Sequence, residues 1–470
     1  VLVLAALLVP AACFAHTGGQ AFILLLPTHL YIAGGAAVVA ASFILLVLVP
    51  PRAFEAALRL RARLLPLPPA PVREALSTAA SLVSLALLVI LIAAGVAGSR
   101  DPLANPLPLA IWTVWWIGLA YAHAIAGDLW THLNPWRGLE RVVTRASGPH
   151  GWLATPPLPY PERAGPWPAV AFFLAFVWFE LIHPRPDDPA VLAGAVAAYL
   201  LVHIVGVLLF GARAWLASAE AFTLFFRMVA WMAPLGVQRA PRPVATIAPP
   251  ALKLLDVEPL PPGGVAFVLL ALAAVSFDGF SRTFTWLGAL GVNPLEHPGR
   301  TALMVPNTLG LLGTLALFAV AYTGVVTIAG RVGRLAASPA RLLGTFVLSI
   351  VPIAVAYHFA HYLPVFLVDV QYAVRAASDP FALGWNLLGT RDLPVIASFL
   401  TDPARVYTIW HTQVALIVAG HVAAVWIAHA LALRLAPSPR AAVLSQLPVM
   451  LLMIAYTMLG LWLLSAPTAG

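Results

Sequence analysis

Cysteine and charge are what this sequence has least of. Its single cysteine, Cys13, excludes an internal disulfide and a cysteine-built metal cluster. Charged residues make up 9% of the 470 positions, against about 25% in a soluble domain. Lysine occurs once, at Lys253; the other basic residues are arginines scattered between apolar runs. No basic face is gathered, so the net charge of +8 does not point to nucleic acid. Loop arginines spaced in this way set the orientation of membrane spans. No GxSxG elbow, P-loop, dinucleotide fingerprint or HExxH helix occurs, which leaves serine-hydrolase, NTPase and dinucleotide chemistry unsupported.

What is abundant is apolar: 61% of residues are hydrophobic, with a mean hydropathy of +0.92. The expected fold is all-α, a polytopic transmembrane helical bundle of about ten spans embedded in the lipid bilayer. The expected spans are Leu30–Val49, Ser77–Ala97, Pro108–Ala126, Trp167–His183, Pro189–Gly211, Gly263–Phe280, Pro306–Ile328, Leu342–Leu363, Val406–Leu433 and Val443–Leu464. Most approach the roughly 20 residues needed to cross the hydrocarbon core. Val1–Ala15 reads as the apolar and cleavage regions of a signal peptide, with the true start upstream and residues 16–470 forming one integral domain. Cleavage after Ala15 would make His16 the mature N-terminus, able to chelate copper through amine and imidazole. With His16 outside, 19 of the 26 Lys and Arg fall in cytoplasmic loops. The expectation is thus a multi-pass protein of the bacterial inner (cytoplasmic) membrane with both termini outside. Residues 214–234 read as an amphipathic helix on the cytoplasmic face or packed under the bundle.

Ionisable side chains inside spans are functional candidates by default. At ~1.5 Å rise per residue, His358, His361 and His411 lie near the outer boundary. So do His29, His183, Glu180 and Asp278. A deeper layer holds His123, His203 and His421, roughly 20–23 Å below that boundary. His358 and His361, at i,i+3, read as two ligands from one helix, with His411 the third ligand of a divalent transition metal, Zn or Cu. An open fourth position would activate water. Asp278 and Glu180 are the candidate catalytic carboxylates, ligating, orienting a ligand or acting as base. The deep layer is the candidate cofactor-binding set, as metal ligands, axial ligands of haem b, a proton path or interhelical bonds. Asp128-Leu129-Trp130 to Asn134-Pro135-Trp136 reads as an interfacial anchor.

Several strings carry a family resemblance. Phe22-Ile23-Leu24-Leu25-Leu26-Pro27-Thr28, Asp128-Leu129-Trp130 with Asn134-Pro135-Trp136, Trp178-Phe179-Glu180 with Pro186-Asp187-Asp188-Pro189, Ser276-Phe277-Asp278-Gly279, Tyr357-His358-Phe359-Ala360-His361-Tyr362 and Gly420-His421-Val422 resemble bacterial membrane proteins known as fenitrothion hydrolase. The resemblance covers most of the chain. It implies an exported, membrane-embedded phosphotriester hydrolase and brings no catalytic residue set with it, so the site assignments rest on depth. The expected function is a metal-dependent membrane hydrolase of phosphotriester-like or related esters, acting on a small-molecule substrate near the outer face. The alternatives are a haem- or copper-binding redox protein and a proton- or metal-coupled transporter.

Overall fold

The computed structural model of the chain describes residues 28–50, 54, 56, 59–147, 156–238, 243–293, 296 and 299–467. The expected leader, Cys13, His16, His150 and His297 lie outside the described residues.

All ten expected apolar segments are helical. In chain order the main helices are α1 (Thr28–Leu48), α2 (Ala70–Ala97), α3 (Pro106–Ala126), α4 (Pro135–Ser147), α5 (Trp167–Leu181), α6 (Pro189–Phe210), α7 (Ala221–Ala230), α8 (Pro262–Ser281), α9 (Phe284–Ala289), α10 (Thr301–Val332), α11 (Pro339–Ala376), α12 (Pro403–Leu435) and α13 (Pro439–Ser465). Among the described residues nine of these are long and apolar enough to cross a membrane; α5, at 15 residues, is shorter. The chain is a membrane-embedded helical bundle.

Inter-helix bonds show which helix ends meet. The Asn105 side chain, before α3, donates to the Ala94 carbonyl near the end of α2 at 2.9 Å. Arg300, before α10, reaches the Glu180 carbonyl at the end of α5. Tyr31 at the start of α1 meets His411 at the start of α12. At the opposite end the Ala336 amide, between α10 and α11, donates to the Leu435 carbonyl closing α12. The bundle therefore has an Asp278 end and an opposite end.

The helices divide into central and peripheral. In the most apolar window of α8 and of α11, 83% of residues are buried, against 17% in α2 and α10 and 22% in α1. A helix apolar all round and buried is a core element; one apolar and open faces lipid. The candidate residues Asp278, His358 and His361 thus belong to the two central helices. Pro364 lies inside α11 and leaves the Ala360 carbonyl without its helical N–H. Gln413 of α12 donates to that carbonyl at 2.7 Å, replacing the missing bond from a neighbouring helix. Gly420 of α12 lies against Pro352 and Ala356 of α11, where a Cβ would come within 2.4 Å of the Ala356 methyl, so the two backbones touch.

A three-stranded antiparallel sheet was not expected. β1 (Ala62–Pro66), β2 (Leu235–Gln238) and β3 (Val244–Ile247) pair in the order β1-β3-β2, with Ala62 opposite Ile247 and Gln238 opposite Val244. Its strands are four or five residues long and β1 is wholly exposed, so no buried alternation marked them in the sequence.

The 214–234 stretch forms a short helix, Ala212–Ser218, and then α7. Every residue of α7 except Arg227 is buried. Phe222 and Phe225 pack on Trp115 and Trp116 of α3 and on Phe173 and Phe176 of α5. α7 is therefore inside the bundle, while Ala217 in the short helix before it is exposed.

Asp188 caps α6, accepting from the Ala190 and Val191 amides at 3.0 and 3.1 Å. The Val191 amide foremost holds this carboxyl below the usual range. Asp188→Ala is expected to destabilise the protein by about 1 kcal/mol. Because the folded-state value is depressed, the cap's contribution is present above about pH 4 and lost as pH falls below it. Unfolding curves of wild type and variant at neutral and acid pH should converge at the acid end.

Candidate functional site

The Asp278 carboxylate is the hub of a buried polar cluster near that end. Asp278 lies three residues before the end of α8 and is 1% exposed. Its Oδ2 accepts from His361 Nε2 at 2.9 Å and from the Tyr362 hydroxyl at 3.0 Å, both on α11. Arg282, one turn on and just past α8, places Nη2 2.8 Å from Oδ1. That contact is an ion pair without hydrogen-bond alignment, since Oδ1 has no hydrogen-bond partner. The Asp278 side chain is 2% exposed, His361 18% and Arg282 51%. The cluster is therefore reached through the imidazole and the guanidinium, with the carboxylate behind them.

Tyr362 also lies 3.2 Å from Glu180 Oε1. One hydroxyl has one proton and cannot donate to two ionised carboxylates. Asp278 faces Arg282 and His361, so it takes the ionised role. The proton count then closes with Glu180 protonated, giving a hydrogen bond to the Tyr362 oxygen while Tyr362 donates to Asp278. His361 is assigned by the same reasoning: a carboxylate only accepts, so Nε2 bears a proton, and in the neutral ring Nδ1 is the acceptor. Outside the spans, burial pushes the Asp187 carboxyl up, against the pull of Arg300 and Arg282.

Beneath Glu180 is a cavity walled by Trp116, Phe225, Met228, His358 and Tyr362. Its open volume is about 10 Å³, room for about one water. α3 is a π-helix from Leu109 to Leu119 where it borders this site, a widened turn that occurs often at functional positions. His358 Nε2 lies 3.3 Å from the Trp116 carbonyl there.

The expected residues divide clearly. Asp278, Glu180 and His361 come together, joined by Tyr362. His358 is near but faces α3, where His361 faces α8. Positions three apart on a helix differ by about 60° around its axis, and α11 has a different neighbour on each side. His411 lies apart: its Nε2 meets the Tyr31 hydroxyl at 3.0 Å and its Nδ1 the Tyr407 carbonyl at 2.7 Å. The three proposed metal ligands thus have three different partners. Among the described residues no group of three or more His, Cys, Asp or Glu is arranged to hold a metal ion. The donor set does not fit the expected metal. His183 turns away from Glu180, accepting from the Arg185 amide at 3.1 Å.

The deeper layer is not one site. His123 Nδ1 bonds the Leu119 carbonyl at 2.7 Å and its Nε2 accepts from the Trp130 amide at 2.8 Å, so both nitrogens are engaged. His203 accepts from Trp215 Nε1 at 2.8 Å and is ringed by Trp136, Phe172 and Tyr199. His421 bonds the Ile417 carbonyl through Nδ1 at 2.8 Å and packs on Tyr456. An axial haem ligand needs a free nitrogen, and both nitrogens of His123 are engaged. The three histidines thus have separate partners, and His123 has no nitrogen free to join the other two as a ligand. Asp128 caps the turn at Thr131, and Asn134 and Trp130 bond Glu220, so the Asp128–Trp136 motif is tied into the fold.

Sequence reading passed over Arg282, Arg300, Tyr362 and Glu220. Arg282 was findable at i+4 from Asp278, the spacing at which helical charges pair. Glu220 carried only the signal of an acid before an apolar run. No family model matches this sequence, and no curated protein or solved structure matches it either.

Proposed function

We propose that this membrane protein is a hydrolase whose acid–base centre is Asp278–His361, acting on phosphotriester-like or related esters that enter at the Asp278 end. The single observation behind this reading is a buried carboxylate holding an imidazole that is itself partly exposed. Asp278 fixes the His361 tautomer and stabilises the imidazolium, the two tasks a carboxylate performs for a catalytic histidine. His361 Nδ1 takes a proton from water as the water oxygen bonds to phosphorus or carbonyl carbon. The imidazolium then returns that proton to the departing alkoxide or phenolate as its bond breaks, so the charge closes without a metal. Arg282, half exposed beside Asp278, is placed to receive the developing oxyanion. The resemblance to fenitrothion hydrolase proteins supports the ester class, and the arginine distribution supports placing the Asp278 end outside.

The test uses purified protein in lipid nanodiscs with nitrophenyl phosphotriesters and carboxylic esters. Nitrophenolate release above that of empty nanodiscs is expected, persisting after exhaustive chelation. His361→Asn should lower kcat by about 10²–10⁴-fold, the usual worth of a positioned acid–base group. Activity absent from wild type, or equal in His361→Asn, would sink the proposal.

A further inference from the structure

Behind the Asp278–His361 pair, a file of hydroxyl and imidazole groups runs into the bundle between α8, α11, α12 and α13. Tyr357, one turn before His361, stacks beneath it with ring centroids 6.0 Å apart. The Tyr357 ring lies 6.4 Å from that of Tyr456, which lies 5.9 Å from His421. The Tyr456 hydroxyl is 2.7 Å from Ser276 Oγ, and Ser276 spends its own proton on the Leu272 carbonyl at 2.6 Å.

Two groups in this file are buried without a partner: the Tyr357 hydroxyl and His421 Nε2. Their roles are complementary. Tyr357 has an unspent donor. His421 must carry its proton on Nδ1, because the Ile417 carbonyl it faces can only accept, so Nε2 is an unspent acceptor. A buried polar group left unpaired is destabilising, and phenylalanine at 357 would avoid that cost. Room is kept for the hydroxyl as well. A Cβ on Gly279 would lie 3.2 Å from Tyr357 Oη and 3.8 Å from His361 Cε1, so one small space adjoins both.

We propose that His361, Tyr357, Tyr456 and His421 form a proton relay running from the Asp278 carboxylate to the middle of the bundle, with His421 as its terminus. Each hydroxyl passes its proton inward and takes one from the neighbour behind through a bridging water, Tyr456 turning from Ser276 to do so, so one proton moves and no redox partner is needed. His421 lies about 27 Å from the start of α12 and about 21 Å from its end. The next polar pair, His429 with Gln446 at 3.0 Å, is about 12 Å further along α12. Ala424, Val425 and Ala428 between them are buried and apolar. The relay is therefore a half-channel, open to the Asp278 end and closed beyond His421. It does not depend on the hydrolase reading.

A half-channel displaces charge without sustaining current. Proteoliposomes of the full chain on a solid-supported membrane, given a rapid acid jump, should show a transient displacement current absent from protein-free liposomes. Tyr357→Phe and Gly279→Ala should reduce the displaced charge at least 10-fold, and His421→Asn should abolish it, with gel-filtration profiles unchanged. Wild type indistinguishable from protein-free liposomes overturns the relay even if the variants fold poorly. Full displacement in His421→Asn overturns its terminus, and a steady current overturns the closed end.

Discussion

Asp278→Asn is expected to leave the bundle folded and to lower hydrolysis by about 10²–10⁴-fold. Asparagine keeps the size of the carboxylate. Arg282 only donates, so the amide oxygen takes the Oδ1 side and the N–H₂ the Oδ2 side, where it faces the Tyr362 oxygen and His361 Nε2. The imidazole would then present Nε2 as an acceptor to the amide and carry its proton on Nδ1, the nitrogen assigned to take a proton from water. The base is removed without removing the histidine. Arg282 loses its ionised partner but its side chain is 51% exposed, so the guanidinium is not left as a buried unpaired charge. The double variant Asp278→Asn, His361→Asn should be little worse than either single one, because the pair acts as a unit. Additive losses in the double variant would show that Asp278 does not work through His361. Nitrogen-15 spectra of the labelled protein give a readout that a structural role would not move: the His361 tautomer should switch in Asp278→Asn.

The limits of the sequence reading follow from what hydropathy reports. It reports depth. A run of apolar residues marks that a helix is there, and all ten apolar segments were legible for that reason, though not their ends: the helix expected over Leu342–Leu363 runs on to Ala376. Depth also placed Glu180, Asp278, His361 and His411 toward one end. It carries no information on which helices are neighbours, so His411 was grouped with His361 although it bonds Tyr31 of α1. Helical spacing failed for a related cause. At i,i+3, His358 and His361 share a face only if one partner helix covers both, and α11 lies between α3 and α8. Tyr362 was legible in name but not in role, since a hydroxyl between two carboxylates is visible only when α5 and α8 are both in place. The small sheet left no trace because its strands are short and none alternates between buried and exposed residues.

Glu220→Ala is expected to destabilise the protein by about 3–5 kcal/mol, summing the donors it would strand. This carboxylate is 0% exposed and precedes α7. Oε1 accepts from the Tyr199 hydroxyl at 2.7 Å and the Phe222 amide at 2.9 Å. Oε2 accepts from Trp130 Nε1 at 3.0 Å, the Thr223 amide at 2.7 Å and the Thr223 hydroxyl at 2.5 Å. Asn134 Nδ2 adds a long contact at 3.5 Å. One side chain thus caps α7 and joins it to α6 and to the turn after α3. In alanine the amides, the indole and the hydroxyls are left in a place water does not reach. Glutamine should recover only part of the loss, because its N–H₂ replaces an acceptor where every neighbour is a donor. Denaturant unfolding in micelles checks both values. α7 presents Phe225 to Trp116 and His358, so its loosening should disturb the cavity wall. Yet Glu220 has no unspent donor or acceptor, in contrast to His421. Its replacement should therefore lower the folded fraction while leaving the pH profile of the folded protein unchanged. A changed profile would mean that Glu220 exchanges protons and is more than an anchor.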